Sequence, residues 1–403
     1  MTFPLLAIAA LVTGCGQPPE TTVRPPEAAF SAETLLLALE TAQPGDVIAV
    51  PEGRFDFRRS LTLTADGVTI RGAGMDASVL RFAEQVAGAE GLLVTGSDFT
   101  IEDLAIEDTA GDALKINGGR NIVVRRVRTE WTNGPHTENG AYGIYPVQTE
   151  NTLVEESVAI GASDAGIYVG QSRNVIVRNS RAEWNVAGIE IENTVGADVH
   201  GNVATRNTGG ILVFNMPDLP QAGHSTRVFD NDVLDNSTPN FGAPGSAVAS
   251  VPAGSGIIVS ANDRVEVFDN RIAGHRTGNV LISSYFSAGY SREREVQPTF
   301  DPYPETIFLY ANTFGRGGQA PDRPELDAVR TALYGEAGRL PDVVWDGFRN
   351  PEKTGSEFAI CVGDGHAEVL DLDADGDYAA PGVDGAAHDC EHEKLPPIRL
   401  AGV

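Results

Sequence analysis

DAGIYVGQSRNVIVRNSRAEWNVAGIEIENTVGADVHGNVATRNTGGILVF, residues 164–214, contains two short phrases that return every 22 residues. The first is Val177-Arg178-Asn179-Ser180, which returns as Val199-His200-Gly201-Asn202. The second is Gly166-Ile167-Tyr168-Val169, which returns as Gly188-Ile189-Glu190-Ile191 and Gly210-Ile211-Leu212-Val213. Both phrases alternate apolar and polar residues, which is the periodicity of a β-strand. Neither leaves room for a helix before the next phrase begins.

Variants of these phrases run from Thr100 to Ile282 and return about every 22 or 23 residues where no loop is inserted. A strand pair of this size cannot bury its apolar face alone, but stacked copies build one continuous core. The sequence therefore predicts an all-β fold, a parallel β-helix in which each coil lies on the one before it. The segment from Phe30 to Thr41, with Ser31 as N-cap, is predicted to be a helix that covers the open first coil.

Composition limits the partners of the chain. It has 403 residues, 41% of them hydrophobic, so it can bury a large core, and a solenoid of this length needs no division into domains. The net charge is −27, with Asp+Glu 56 against Lys+Arg 29. So acidic a surface repels nucleic acid and anionic membranes, and neither is expected as a partner.

The first 28 residues indicate export. An apolar run from Phe3 to Val12 is followed by Val12-Thr13-Gly14-Cys15, which resembles the box of bacterial lipoproteins. The resemblance implies a signal peptide over residues 1–15, lipidation of Cys15, and a Pro-rich tether over residues 16–28. Gly16 stands where an aspartate would retain a lipoprotein in the inner membrane, so an outer-membrane lipoprotein is implied. The alternative is an ordinary cleaved signal.

Two cysteines remain, Cys361 and Cys390. In an oxidising compartment a single pair most simply forms one disulfide. The alternative is a metal-binding or redox pair.

Six segments carry a family resemblance. The chain resembles bacterial exported parallel β-helix repeat lipoproteins, within the pectate-lyase-like superfamily of sugar-binding and sugar-hydrolysing β-helices. The resemblance implies right-handed coils over residues 29–315, with a C-terminal cap region over residues 316–403. Members of the narrower family have no established activity and tend to be encoded beside another exported protein. The segments are GDVIAVPEGRF (45–55), LTLTADGVTIRGAG (61–74), NGAYGIYPV (139–147), GASDAGIYVGQS (161–172), VAGIEIENT (186–194) and TGGILVFNMP (208–217).

Three insertions interrupt the repeat, and all three flank the strand column formed by the second phrase. They run from Trp131 to Ala141, from Met216 to Thr226 and from Asp232 to Ala253. Insertions on one face of a solenoid commonly wall a binding groove. The alternative is that they are tolerated surface loops.

Stacking predicts an outward column from each phrase. In the first phrase the outward charges alternate in sign along the stack, which predicts a structural ion-pair ladder. Its members are Arg71, Glu102, Arg125, Glu155, Arg178 and His200. Four aligned asparagines predict a second, amide ladder, also structural: Asn202, Asn231, Asn270 and Asn312.

The second column has the composition of a sugar-binding strip, because tyrosines stack on pyranose faces and polar groups bond the hydroxyls. Its residues are Lys115, Tyr145, Tyr168, Glu190, Leu212, Ile258 and Leu281. The amides Gln148, Gln171 and Asn193 follow the strand ends, and the first insertion brings His136 and Glu138 to the upper edge.

If the strip is catalytic, the sequence favours a polysaccharide lyase or a uronate epimerase. Elimination or epimerisation of a uronate needs a base, a cation for the carboxylate and an acid, roles that Tyr145 or Tyr168, Lys115 and His136 would fill. Hydrolysis would need paired carboxylates, and only Glu190 is evident on the strip, with Asp164 near its edge, so the sequence does not favour it. The alternatives are a strip that binds an acidic polysaccharide without turnover, and tyrosines that merely tile a surface. From another class, the alternative is a periplasmic scaffold that binds a partner protein.

One metal site is predicted. The segment with Asp371, Asp373, Asp375 and Asp377 begins like a calcium-binding loop. Gly382 stands at the twelfth position, where the bidentate glutamate is expected, so an acidic solvated turn is the alternative. Copper delivery is disfavoured because methionines are few and histidines scattered.

Overall fold

The computed structural model describes residues 30–289, 294–363 and 368–402. The predicted signal peptide with Cys15, and the tether up to residue 28, lie outside the described residues. The described chain is a right-handed parallel β-helix of about 12 turns, as the repeat and the resemblance together predict. Within it, no helix has the length and apolar character needed to cross a membrane.

Two sheets form the walls of the solenoid. Sheet 1 has nineteen strands: Val47–Ala49, Gly53–Asp56, Thr69–Arg71, Ser78–Arg81, Phe99–Glu107, Arg120–Glu130, Glu150–Glu155, Val158–Ile160, Arg173–Arg178, Arg181–Glu183, Val195–His200, Val203–Thr205, His224–Phe229, Asp232–Leu234, Asp263–Phe268, Arg271–Ala273, Glu305–Tyr310, Thr313–Phe314 and Ile360–Val362.

Sheet 2 contains the second phrase and has twelve strands: Arg59–Leu63, Ala87–Val94, Leu114–Asn117, Tyr142–Val147, Ala165–Gly170, Ala187–Glu192, Gly209–Phe214, Ser255–Ser260, Gly278–Ser283, Val343–Trp345, Val369–Asp371 and Gly382–Val383. The last two strands of sheet 2 pair antiparallel, and the other pairings are parallel.

Most turns of sheet 1 contain two strands where the repeat predicted one, whereas Phe99–Glu107 and Arg120–Glu130 each continue through the corner as one strand. A long strand such as Arg173–Arg178 is followed at once by a short one such as Arg181–Glu183. The corner between them is a single residue in the left-handed conformation, and φ is 51° at Asn179 and 53° at Asp269. Asn and Asp tolerate this conformation, which explains the polar third position of the first phrase.

The core is a stack of aliphatic side chains, one from each coil. Val154 pairs with Val177, Val177 with Val199, and Val199 with Val228. Each of these four side chains is fully buried. Helix Ala32–Glu40, capped by Ser31 as predicted, buries Leu35 and Leu39 in the same apolar cluster. The other helices are α-helices Pro324–Tyr334 and Gly385–His388 and 3-10 helices Val248–Ser250, Ser356–Phe358 and Ala374–Gly376.

The predicted ion-pair ladder is present on the outside of sheet 1. Arg71 pairs with Glu102 at 2.6 Å, and Glu155 receives both Arg125 and Arg178 at 2.5 Å. His200 ends the ladder, because its ring stacks on Phe229 with centroids 4.7 Å apart.

The predicted asparagine ladder is also present, buried at a corner of the coil. The Asn231 Oδ1 atom accepts from the Asn202 Nδ2 atom at 3.0 Å, and the Asn231 Nδ2 atom donates to Asn270 at 2.9 Å. A second ladder, which the repeat analysis did not identify, joins Asn185, Asn207 and Asn236 at the opposite corner. Such ladders satisfy polar groups that would otherwise be buried without partners.

The C-terminal region extends the solenoid and then turns back. Val343–Trp345 and Ile360–Val362 continue the two sheets beyond residue 315. Cys361 and Cys390 form the predicted disulfide, with Cα atoms 4.9 Å apart. The tail then runs back along sheet 1, where the backbone amides of Leu395 and Ile398 donate to Glu266 and Asp198.

Asn231→Ala is expected to lower the free energy of unfolding by about 2–4 kcal/mol. The substitution removes the Oδ1 acceptor of the buried Asn202 backbone N–H and side-chain amide, and the Nδ2 donor to Asn270 and to the Val199 carbonyl. Urea denaturation measures the loss. Asn133→Ala, at an exposed position of the first insertion, is the matched control and should stay within about 0.5 kcal/mol of wild type. Equal losses in the two variants would contradict a stabilising role for the ladder.

Candidate functional site

The second column stacks as the repeat predicts. Tyr145 pairs with Lys115, Tyr168 pairs with Glu190, and Glu190 pairs with Leu212. The rings of Tyr145 and Tyr168 lie with centroids 4.8 Å apart, which is the distance between neighbouring coils. Lysine, phenols and carboxylate therefore follow one another along the outer face of sheet 2.

The strip is enclosed rather than open. Tyr168 and Glu190 are each only 2% exposed. Met216 of the second insertion and Val248 of the third pack with Tyr168 in one apolar cluster on the outer face of sheet 2. The second and third insertions thus act as the walls that their positions predict, and they bury the middle of the strip.

Tyr168 is held in place by the next coil and by the turn that follows its own strand. Its hydroxyl hydrogen-bonds to the Glu192 carboxylate and accepts from the Gln171 amide at 3.2 Å. Gly170 makes this possible, because a Cβ atom there would lie 2.1 Å from the Tyr168 hydroxyl. The glycine leaves the space across which the phenol reaches Glu192.

Tyr142 completes an aromatic cluster. Its ring centroid lies 4.3 Å from that of Tyr145 and 4.6 Å from that of Tyr168. Lys115 lies over the Tyr145 ring at 4.9 Å, and it also pairs with Asp112 at 3.3 Å. Burial and the surrounding carboxylates raise the pKa of all three tyrosines, so these phenols are neutral donors at ordinary pH.

Three carboxyl groups share the site: Asp164, Glu190 and Glu192. Oδ1 of Asp164 and Oε2 of Glu190 are buried and have no hydrogen-bond partner within the described chain. A buried acceptor without a partner is costly, unless a ligand or a proton satisfies it. These two atoms mark where the site has unused bonding capacity.

Burial sets the protonation of these groups. It raises the pKa of Asp164 to about 8, and the charge of Glu192 adds to that rise. Burial raises the pKa of Glu190 well above its usual range, with Asp164 and Glu192 reinforcing the rise. The pKa of Glu192 rises less, to about 7, because the Tyr168 hydroxyl and Arg294 stabilise its charged form. The three carboxyls titrate together, and at neutral pH the site holds protons.

Loop anchors surround the site. Asn193, predicted to bind substrate, instead holds the second insertion: its Nδ2 atom donates to the carbonyls of Met216 and Gln221, and its Oδ1 atom accepts from the Met216 amide. Arg294 pairs with Asp218 of the same insertion at 2.8 Å.

The remaining predicted residues lie outside the enclosed cluster. His136 and Glu138 are exposed, and the His136 Nδ1 atom accepts from the Glu138 amide within their own loop. The structure therefore does not bring His136 to the tyrosines. The loop is held on the solenoid by hydrogen bonds from the Trp131 indole to the Thr109 carbonyl and from the Asn139 amide to the Gly161 carbonyl. Gln148 is exposed and contacts Gln171 at 3.5 Å.

The predicted calcium residues make other contacts. Asp371 pairs with Arg349 at 3.0 Å, and Asp373 accepts from the Ala380 amide at 2.9 Å. In the described chain, the one group of acids whose ligand atoms lie within 4.8 Å of one another is Asp263, Asp301 and Glu305. Lys353 bonds two of these three carboxylates. Calcium at Asp371, Asp373, Asp375 and Asp377 stays a prediction.

Tyr142, Glu192 and Asp112 were not identified from the sequence. Glu192 was identifiable in principle, because it lies two residues after Glu190 and strand side chains alternate between faces. Asp112 and Tyr142 lie three residues before Lys115 and Tyr145, a spacing that strand alternation assigns to the other face. Asp112 precedes its strand, which begins at Leu114. The predicted column is a single row of residues, whereas the site also uses residues on either side of that row.

The comparisons with known proteins concern the fold. A family model described as right handed beta helix region matches residues 61–219. The architecture is the right-handed β-helix. No curated protein matches the chain in sequence.

Solved structures with this architecture include polysaccharide-modifying enzymes. The A-module of the mannuronan C-5 epimerase AlgE6 of Azotobacter vinelandii is 18% identical, with a TM-score of 0.50 over 82% of this chain and 88% of that one. DFA-IIIase of Arthrobacter chlorophenolicus A6 is 10% identical, with a TM-score of 0.47 over 86% and 92%. Alginate lyase of Paenibacillus sp. FPU-7 is 16% identical, with a TM-score of 0.41 over 72% and 96%. At these identities the likeness describes the fold.

Gly170→Ala is expected to push the Tyr168 ring away from Glu192, since the added Cβ atom meets the phenol at 2.1 Å. We expect a loss of stability of about 1–3 kcal/mol from overpacking, together with a change in the near-ultraviolet circular dichroism of the tyrosines. Gly385→Ala, where a Cβ atom meets nothing within 4 Å, is the control. An unchanged tyrosine spectrum would show that Gly170 does not position Tyr168.

The free energy of unfolding of Glu190→Gln, relative to that of wild type, is expected to increase as pH rises. Carboxyls with a pKa near 4 in the unfolded chain and a raised pKa in the native protein stabilise most at low pH, and that contribution is lost as pH rises through the native pKa. The gain of the variant should grow by about 1.4 kcal/mol per pH unit between about pH 5 and 7. Urea denaturation at several pH values measures it, with exposed Glu84→Gln as control. A pH-independent difference would contradict burial of an ionisable Glu190.

Proposed function

We propose that the enclosed cluster binds a saccharide and cleaves a glycosidic bond by acid–base catalysis. The observation that carries the proposal is the buried group of Asp164, Glu190 and Glu192, with two unpartnered oxygens beside tyrosine rings. Carboxyl groups whose pKa is raised by burial are suited to act as acids and bases in such cleavage. Tyrosine faces are the usual surface for a sugar ring.

The environments of the two glutamates favour different roles. Glu190 has the strongly raised pKa and a free Oε2 atom, so it is the proton donor for the leaving oxygen. Glu192 is bonded by the Tyr168 hydroxyl, which favours its ionised form, so it serves as the base or nucleophile. The two glutamates lie two residues apart on one strand, with Cα atoms separated by about 6.6 Å, so both side chains leave the same outer face of sheet 2.

The charge of the site favours a neutral sugar over a uronate. Lys115 is already shared between Asp112 and Glu90, and Arg294 is paired with Asp218. A substrate carboxylate would therefore face Asp164 and the glutamates with little positive charge to offset it. Uronate elimination or epimerisation through a tyrosine base is disfavoured further, because the pKa of each tyrosine is raised.

The cellular setting of this activity is an expectation from the first 28 residues. An exported lipoprotein anchored through Cys15 would meet its saccharide in the cell envelope. The alternative function, a non-catalytic periplasmic scaffold that binds another exported protein, stays a prediction.

Purified protein incubated with a panel of neutral and acidic oligosaccharides should release new reducing ends from a neutral member. Glu190→Gln and Glu192→Gln should each lower the rate by about 10²–10⁴-fold, with Glu84→Gln unchanged. Products are followed in parallel by ultraviolet absorbance for unsaturated uronates. Unsaturated products would favour a lyase and contradict hydrolysis, and full activity in Glu190→Gln would overturn the assigned acid.

A further inference from the structure

A largely apolar cavity of about 470 Å³, whose lining also includes Arg323, Glu325 and Asp346, lies one coil from the carboxyl cluster. Its floor is the continuation of the same outward column of sheet 2, namely Leu212, Ile258, Leu281 and Val344. Its size falls in the usual range for small-molecule sites. The strip thus changes from polar to apolar along its length without leaving the column.

The carboxyl cluster and the cavity lie on neighbouring coils of the solenoid. Glu190 pairs with Leu212, and Glu192 pairs with Phe214, so each catalytic candidate lies about 4.8 Å along the axis from a residue that lines the cavity. A ligand bound at the carboxyls therefore needs to extend by only one coil to reach the apolar wall.

The lining combines apolar surface with a few polar groups. The Oγ atom of Ser260 is buried without a partner among the described residues, and Ser260 lines the cavity two coils from Glu192. Phe286, which is 55% exposed, lines the same cavity and therefore opens it to solvent. A closed core void would show neither an unsatisfied hydroxyl nor an exposed wall.

We propose that the substrate is an amphiphilic glycoside, whose sugar lies at the tyrosines and carboxyls and whose apolar alkyl or acyl chain occupies this cavity. The inference rests on the proposed function for the sugar end only. Binding of an apolar chain in the cavity can be measured on its own, without any turnover of substrate. A chain entering from the sugar side follows the column from Leu212 towards Val344.

The first experiment uses methyl, hexyl and octyl β-D-glucopyranoside, with binding measured by calorimetry. In wild type, affinity should rise with chain length, by about fourfold for each methylene that becomes buried. Ile258→Trp fills the cavity floor and should abolish the gain, and the milder Leu281→Phe should reduce it. Val86→Trp places the same indole at a position 73% exposed and should keep the full gain.

A second probe is independent of sugar. Fluorescence of the dye anilinonaphthalene sulfonate should increase on binding to wild type and Val86→Trp, and the increase should be lost in Ile258→Trp. Equal affinity of wild type for the methyl and octyl glycosides would overturn the inference. So would a chain-length gain that survives in Ile258→Trp.

The two proposals fail separately. If Glu190→Gln retains the chain-length gain but wild type hydrolyses nothing, the cavity assignment stands and the proposed activity fails. If wild type cleaves short glycosides and longer chains bring no gain in affinity, the activity stands and the amphiphilic substrate is wrong.

Discussion

Parallel hydrogen bonding between successive coils is the constraint on which the rest of the molecule depends. It brings residues that are 22 or 23 positions apart in the shortest coils to about 4.8 Å from one another. A slip of one residue would turn the Val154–Val177–Val199 stack outward and the charges inward, so the register is strongly determined. Ion pairs, asparagine ladders and tyrosine contacts are all consequences of that single register.

The insertions convert a surface row into a chemical site. On a bare solenoid, Tyr168 and Glu190 would be solvated and have ordinary pKa values. Met216 and Val248 remove that solvent, and the resulting burial raises the pKa of Glu190. The proposed catalytic character thus depends on loops of low regularity placed on a rigid scaffold, which is a common division between loops and scaffold. The Tyr168–Glu192 hydrogen bond then makes the pKa values of Glu190 and Glu192 differ, because it stabilises the charged form of Glu192.

Periodicity made the fold and the rows predictable, because identical spacing implies identical position in the coil. Lys115, Tyr145, Tyr168 and Glu190 were found in this way. The burial of this column could not be predicted in the same way, because it depends on where insertions without a repeat pattern pack. His136 shows the limit: its loop lies at the edge of the column, but Trp131 and Asn139 hold the histidine in solvent. The short second strands of sheet 1 were not predicted, because a strand of three residues is too short to show a clear alternation of apolar and polar residues.

The returning tail alters how the solenoid responds to damage. In a plain stack of coils each one contacts only its neighbours, and loosening spreads inward from an open end. Here the segment after Cys390 reaches Asp198, 200 residues earlier in the chain. The tail thereby links coils that are far apart in the stack. Leu395 and Ile398 are synthesised long after the coils that they bond to, so those middle coils gain this support only once that later segment has been made.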